Sequence, residues 1–226
     1  MQLYLVRHAE SENNAKPPYE RVEDPPLTRR GIVQAEHLAS WTRTLRIDML
    51  ITSPFLRTLQ TTRRVIEAMP QRLHVWHDIF ERGGCYQGHQ PGQERGAAGL
   101  SRAAILRHAG MAPPDCLLDE TIGEDGWWGG RPRETDEQAK RRCEAVIRRL
   151  TETFGDNGQT VVVVTHADFK RLLVTAMLAG GLHAESLGPM RNTGITKINF
   201  DGRRWQLDWF NSVSHLPSRL ITGNEH

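Results

Sequence analysis

Cysteine is scarce in this chain. The 226 residues hold three, Cys85, Cys116 and Cys143, odd in number and widely spaced. They form no CxxC or metal-type pattern, which excludes a disulfide framework and makes free thiols in a reducing cytoplasm the expectation. An excess of one charge sign is also lacking. Lys and Arg number 29 and Asp and Glu 27, a formal net charge of +2. That balance argues against a nucleic-acid footprint and against a polybasic membrane patch. No apolar run approaches the length of a membrane-crossing helix. No basic segment followed by an apolar core marks a signal peptide, so a cytoplasmic protein without membrane contact is expected. Repeats and low-complexity linkers are missing as well. What is present is ordinary for a globular protein, with 38% hydrophobic and 25% charged residues. The length suffices for one large domain over 1–226.

Six strands are predicted, at about 2–7, 47–52, 73–77, 160–165, 194–200 and 203–210. Val161–Val164 is an unbroken β-branched run, as in a central strand covered on both faces. Asp201-Gly202 marks a hairpin between the last two strands. Helical periodicity covers 28–45 with Thr28 as N-cap, and 54–69 with Ser53 as N-cap and Pro54 at the first helical position. It covers 136–154 with a Thr135–Gln138 capping box, and 168–179, stopped by Gly180-Gly181. Strands alternating with helices imply an α/β fold, a three-layer α/β/α sandwich on a mostly parallel sheet of about six strands. The stretch at about 82–134 is rich in glycine and proline, with one short helix near 100–108. It is expected to be a cap inserted over the strand ends.

Three strand-to-helix junctions each carry a phosphate-ready side chain. Leu3–Val6 delivers Arg7 and His8, Thr52-Ser53-Pro54 leads to Arg57, and Val164-Thr165 leads to His166. In open α/β sheets ligands bind beyond the carboxyl ends of the strands, so these side chains converge on one crevice. A neutral imidazole attacks phosphorus, guanidinium groups hold phosphoryl oxygens, and a helix N-terminus favours an anion. Taken singly, Arg57 reads as a surface ion-pair residue and His166 as a structural histidine; their shared placement favours a dianion site. An alkoxide leaving group also needs an acid. Glu81 and Asp78 both follow the strand at 73–77, and spacing alone leaves the two open.

These residues resemble the histidine phosphatase superfamily, the phosphoglycerate-mutase-like fold. The segments VRHAESENN, PLTRRG, QAEHLA, TSPFLRTLQTT, Glu81 in its setting, VVVVTHADF and NTGIT follow in the family's order. The resemblance implies that His8 is the phosphohistidine nucleophile. Arg7, Arg57 and His166 would clamp the phosphoryl group, Asn14 would add a hydrogen bond, and Glu81 would be the proton donor. It implies a metal-independent phosphomonoesterase without cofactor. The substrate would be a small phosphorylated metabolite, ahead of a phosphoprotein peptide.

Ala9 replaces the family's glycine, and Asp168 reads as a helix cap. Cofactor-dependent phosphoglycerate mutases carry a tyrosine after Glu-Arg-His, then a lysine and an Arg-Arg pair. Here Gly83-Gly84 follows Glu81-Arg82, and Arg141-Arg142 reads as a solvated helix face, so a phosphatase is favoured over a mutase. Substrate readers could come from Arg82, held as a substrate-binding residue, or from His89, Arg95, Arg102, Arg131 and Arg133. Trp127-Trp128 reads as a brace between cap and core. A weakly active protein-interaction module is the rival of another class, and a metallophosphoesterase lacks its ligand spacing. Nothing demands an oligomer; an exposed edge strand is where a dimer would pair.

Overall fold

A computed structural model describes residues 1–88, 90, 92–156, 158–178 and 186–223. In chain order the elements are β1 (Gln2–Arg7), α1 (Glu12–Ala15), α2 (Arg29–Thr42), β2 (Met49–Thr52), α3 (Leu56–Ala68) and β3 (Leu73–Val75). A small pair, β4 (Tyr86–Gln87) and β5 (Arg95–Gly96), precedes α4 (Arg102–Ala109) and β6 (Cys116–Leu118). The chain continues with α5 (Asp136–Phe154), β7 (Thr160–Thr165), α6 (Ala167–Met177), β8 (Ile195–Phe200) and β9 (Trp205–Ser212).

The main sheet has seven strands in the order β6-β3-β2-β7-β1-β8-β9. The first five run parallel, and β8 and β9 close the sheet antiparallel. β7 lies between β1 and β2, pairing Leu3 with Val161 and Thr52 with Val164. Side chains alternate across the pleat, and that alternation sorts the core into two halves. Tyr4, Val6, Leu50, Val162 and Val164 face α2, α3 and α4, meeting Leu38, Leu59 and Ile105. Leu3, Leu5, Ile51, Val161 and Val163 face α5 and α6, meeting Val146, Leu150, Phe169 and Leu173. The valine run is buried throughout because both of its faces are covered, which gives the three layers expected.

The seventh strand is β6, which lies inside the stretch read as a cap. With α4, which packs in the same core half as α3, it makes the middle of 82–134 part of the sandwich. The remainder crosses the carboxyl ends of the strands, and the two tryptophans fix it there. Trp127 is 1% and Trp128 4% exposed. Trp127 packs edge-on against Phe55 at 4.8 Å and Trp128 against Phe80 at 5.1 Å. A Cβ on Gly84 would fall 2.4 Å from the Trp128 ring, so only glycine fits beneath it.

The helix expected from Pro54, with Ser53 as its N-cap, begins instead at Leu56, with Pro54 and Phe55 outside it. Its first free N–H, on Leu56, donates to the Asp24 carboxylate at 2.9 and 3.1 Å, so the cap comes from a loop 32 residues earlier. α6 begins at Ala167 with His166 in the N-cap position. Asp168 is therefore inside the first turn, where its charge suits the helix dipole, and is not the cap. Gly180-Gly181, assigned as the stop of this helix, lies outside the described residues, as does His89. The Thr135–Gln138 capping box and the Thr28 cap form as read, Thr28 Oγ1 accepting from Gly31 N at 2.9 Å. All three cysteines are free and buried. No described helix is long and apolar enough to cross a membrane.

Candidate active site

His8 stands just past β1, and its backbone is held on both sides. Its N–H donates to Thr165 O at 2.9 Å. Its carbonyl accepts from Thr193 N at 3.3 Å and from Asn192 Nδ2 at 3.1 Å. The imidazole Nδ1 lies 2.7 Å from Ala9 O. A carbonyl only accepts, so Nδ1 carries the proton and Nε2 keeps its lone pair. Arg57 Nε donates to that nitrogen at 3.2 Å. A nucleophilic nitrogen thus faces a cation that an incoming anion can claim.

Arg7, His8, Arg57 and His166 are all buried, with exposures of 1%, 2%, 9% and 0%. Burial strengthens each charge–charge term in the site, because little water remains to screen it. Arg7 Nη1 donates to Met190 O. The backbone at Gly223 comes so close that a Cβ there would lie 2.6 Å from Arg7 Nη1. His166 packs edge-on to His8 at 5.2 Å and to Phe55 at 4.9 Å, with Nε2 and Ser53 Oγ 2.8 Å apart. Burial above all, and then the positive charge of Arg57, pushes the His166 imidazolium well below its ordinary pKa, so the ring is neutral at pH 7. Asn14 Oδ1 accepts from Ser11 N at 3.0 Å, and Asn192 Nδ2 lies 3.3 Å from the same oxygen. With its oxygen engaged, the Asn14 amide NH₂ is the end that can serve a ligand.

Two carboxyls flank Arg57. Glu81 Oε1 accepts from Arg82 N at 2.8 Å and from Phe169 N at 3.1 Å. Burial, with Asp168 adding to it against Arg57, raises Glu81 to about 7. On the other side Asp24 lies 3.7 Å from Arg57 Nη1 and is raised by burial to about 7. Asp78, the rival of Glu81 by spacing, is turned away; Arg149 Nη1 meets its Oδ2 at 3.2 Å on the α5 side. The α3 N-terminus, read as an anion site, is occupied by Asp24 itself.

The structure brings together Arg7, His8, Asn14, Arg57, Glu81 and His166. Arg82 stands at the rim and is not turned to the cluster; its Nε donates to Asp136 Oδ1 at 3.0 Å. Arg102 donates to the Ile122 carbonyl at 3.2 Å, Arg131 Nε to Trp128 O at 2.8 Å, and Arg95 is exposed on β5. Arg133 lies over the Tyr86 ring at 5.2 Å. Arg142 is not on a solvated face. It pairs bidentately with Glu134 at 2.7 Å and donates to the Asp78 and Phe80 carbonyls at 2.8 and 3.0 Å, clamping the turn that carries Glu81. Ser53, Asn192 and Asp24 escaped sequence reasoning. The first was read as a helix cap, and the other two sit in segments whose fold is set by distant partners. Among the described residues no group of three or more His, Cys, Asp or Glu could hold a metal ion.

The family model for the histidine phosphatase superfamily (branch 1) matches residues 3–213. The chain belongs to that superfamily. Phosphoserine phosphatase 1 of Hydrogenobacter thermophilus is 41% identical over all of this chain and 99% of its own length. A probable phosphoglycerate mutase, GpmB of Citrobacter koseri, is 37% identical over 98% of this chain and 97% of its own. Among solved structures, Bacillus stearothermophilus YhfR shares the fold with TM-score 0.65 and 23% identity, covering 95% of this chain and 98% of that one. A mycobacterial glucosyl-3-phosphoglycerate phosphatase does so with TM-score 0.63 and 21% identity, over 93% and 99%. The superfamily member described here is an enzyme of phosphoryl transfer.

Proposed function

We propose that this superfamily member hydrolyses phosphate monoesters of small metabolites through a covalent phosphohistidine at His8. The observation that carries the reading is the His8 ring, its Nδ1 proton tied to Ala9 O and its Nε2 lone pair turned to Arg57. A phosphoryl dianion entering the site draws the Arg57 guanidinium to its own oxygens and frees Nε2. Nε2 then attacks phosphorus as the ester P–O bond breaks. Arg7, Arg57, His166 and Asn14 hold the equatorial oxygens, where charge is spread in the transition state. Glu81, protonated up to a pH of about 7, gives its proton to the leaving oxygen. Left as a carboxylate, it takes a proton from the water that attacks the phosphohistidine, which returns His8 and releases phosphate.

A mutase is the second reading, since several relatives carry that name. Hydrolysis is favoured by Gly83-Gly84 after Glu81-Arg82 and by the full-length likeness to a protein named for phosphoserine hydrolysis. The test is turnover of p-nitrophenyl phosphate in EDTA by wild type and His8→Ala. Turnover lost in the variant supports the proposal. Transfer between phosphoglycerates without net phosphate release supports the mutase, and no His8-dependent chemistry on any ester returns the chain to an interaction module.

A further inference from the structure

Lys170 is a fully buried ionisable side chain that the chemistry above leaves unused. It sits in α6 one turn after His166 and is 0% exposed. Its Nζ donates to Gly194 O at 2.7 Å, and that carbonyl also accepts from Arg7 N at 3.3 Å. The amine therefore lies directly behind the end of β1, where Arg7 and His8 leave the sheet. Lysine is almost never fully buried without a counter-charge, because an unpaired ammonium in a dry interior is costly. Among the described residues no carboxylate faces this one. From β1 it meets Arg7, from the turn before β8 only the Gly194 carbonyl, and on its own helix the neutral His166 one turn back. Burial first, and then Arg7, pushes the ammonium well below its ordinary pKa. A neutral leucine or methionine would fill the position without that penalty. The charge that fits the arrangement is the one the site receives, a phosphoryl dianion on the far side of Arg7.

We propose that Lys170 is a positioning residue for the phosphoryl site. It supplies a hidden positive charge behind Arg7 that strengthens dianion binding without touching the substrate. The bound dianion favours the ammonium, so a proton is taken from solvent onto Nζ as the phosphoryl group enters and is returned when phosphate leaves. The inference rests on the phosphatase reading of the same site.

The test compares wild type, Lys170→Met and Lys170→Arg. Three quantities are read: inhibition by inorganic vanadate, thermal stability without ligand, and proton uptake on phosphate binding at pH 8, from calorimetry in two buffers of different ionisation enthalpy. Lys170→Met is expected to weaken vanadate inhibition about tenfold while melting no lower than wild type, since an apolar side chain replaces a buried amine whose charged form the interior disfavours. Lys170→Arg keeps the charge permanently. It is expected to hold vanadate better than the methionine variant and to lose the Lys170 share of the proton uptake. Vanadate inhibition unchanged in Lys170→Met, at whatever melting temperature, overturns the proposal. So does equal proton uptake in wild type and Lys170→Arg, which serves if the methionine variant does not fold. Failure of vanadate to inhibit wild type at all would remove the phosphatase reading, and this proposal with it. Normal wild-type inhibition with indifferent variants removes this proposal alone.

Discussion

Replacing Glu81 with glutamine separates what this carboxyl costs the fold from what it gives the reaction. The glutamine keeps the shape and the side-chain oxygen that accepts from Arg82 N and Phe169 N. It loses the titrating proton. Glu81 is raised from 4.5 to about 7. For an acid raised in the fold, the folded state binds the extra proton, so the penalty is absent below pH 4.5 and grows as pH rises. It is complete above about pH 7. At about 1.4 kcal/mol per unit, the carboxylate costs the fold about 3 kcal/mol at pH 8, an upper bound because the group keeps some contact with water. Glu81→Gln should therefore melt higher than wild type at pH 8, by at most about 10 °C, and close to it at pH 4.5. Activity should move the other way. An alkyl phosphate needs the proton, and its hydrolysis should fall by about 10²–10⁴. p-Nitrophenolate leaves without one, so its release in the first turnover, before the water attack that Glu81 assists for both esters, should fall far less. Wild-type phosphorylation of His8 should decline as pH rises through about 7. Calorimetric melting at both pH values and stopped assays on the two esters read all of this. Equal loss of first-turnover release on both esters, or a melting difference that does not depend on pH, would refute the reasoning.

Three further substitutions probe parts of the same framework. Arg57→Ala, which removes the partner of His8 Nε2, should lower kcat/KM by about 10²–10³, measured on p-nitrophenyl phosphate. Trp127→Ala should cost about 3–5 kcal/mol in urea unfolding, because the ring is buried against Phe55 and Phe80. Arg142→Ala leaves the Glu134 carboxylate buried without its partner and should cost about 3–5 kcal/mol. It should also reduce turnover of alkyl phosphates, because the Asp78 and Phe80 carbonyls before Glu81 lose their donor.

The parts of the fold legible in the sequence are those determined by their own neighbours. Val161–Val164 announces a strand covered on both faces, and Thr135 with Gln138 closes its own capping box. The Arg7-His8, Arg57 and His166 junctions could be read because each follows a strand immediately. What stayed hidden depends on partners far along the chain. β6 is three residues long, too short to show a period, and is defined by pairing with β3. The start of α3 was misplaced because its cap is the Asp24 carboxylate, not Ser53. Arg142 looked solvent-facing because the carbonyls it holds lie 62 and 64 residues away. Arg82 followed the presumed acid directly and so looked like a substrate contact. Asp136, at the start of α5, is what claims it.

The central claim is that phosphorus becomes bonded to His8. Rapid quenching of enzyme mixed with radiolabelled phosphate monoester, followed by mapping of the labelled peptide, tests it most directly. The account predicts an acid-labile, base-stable phosphate on the peptide holding His8, appearing no later than free phosphate and absent from His8→Ala. Steady hydrolysis with no label on the protein, or label that persists in His8→Ala, would contradict it.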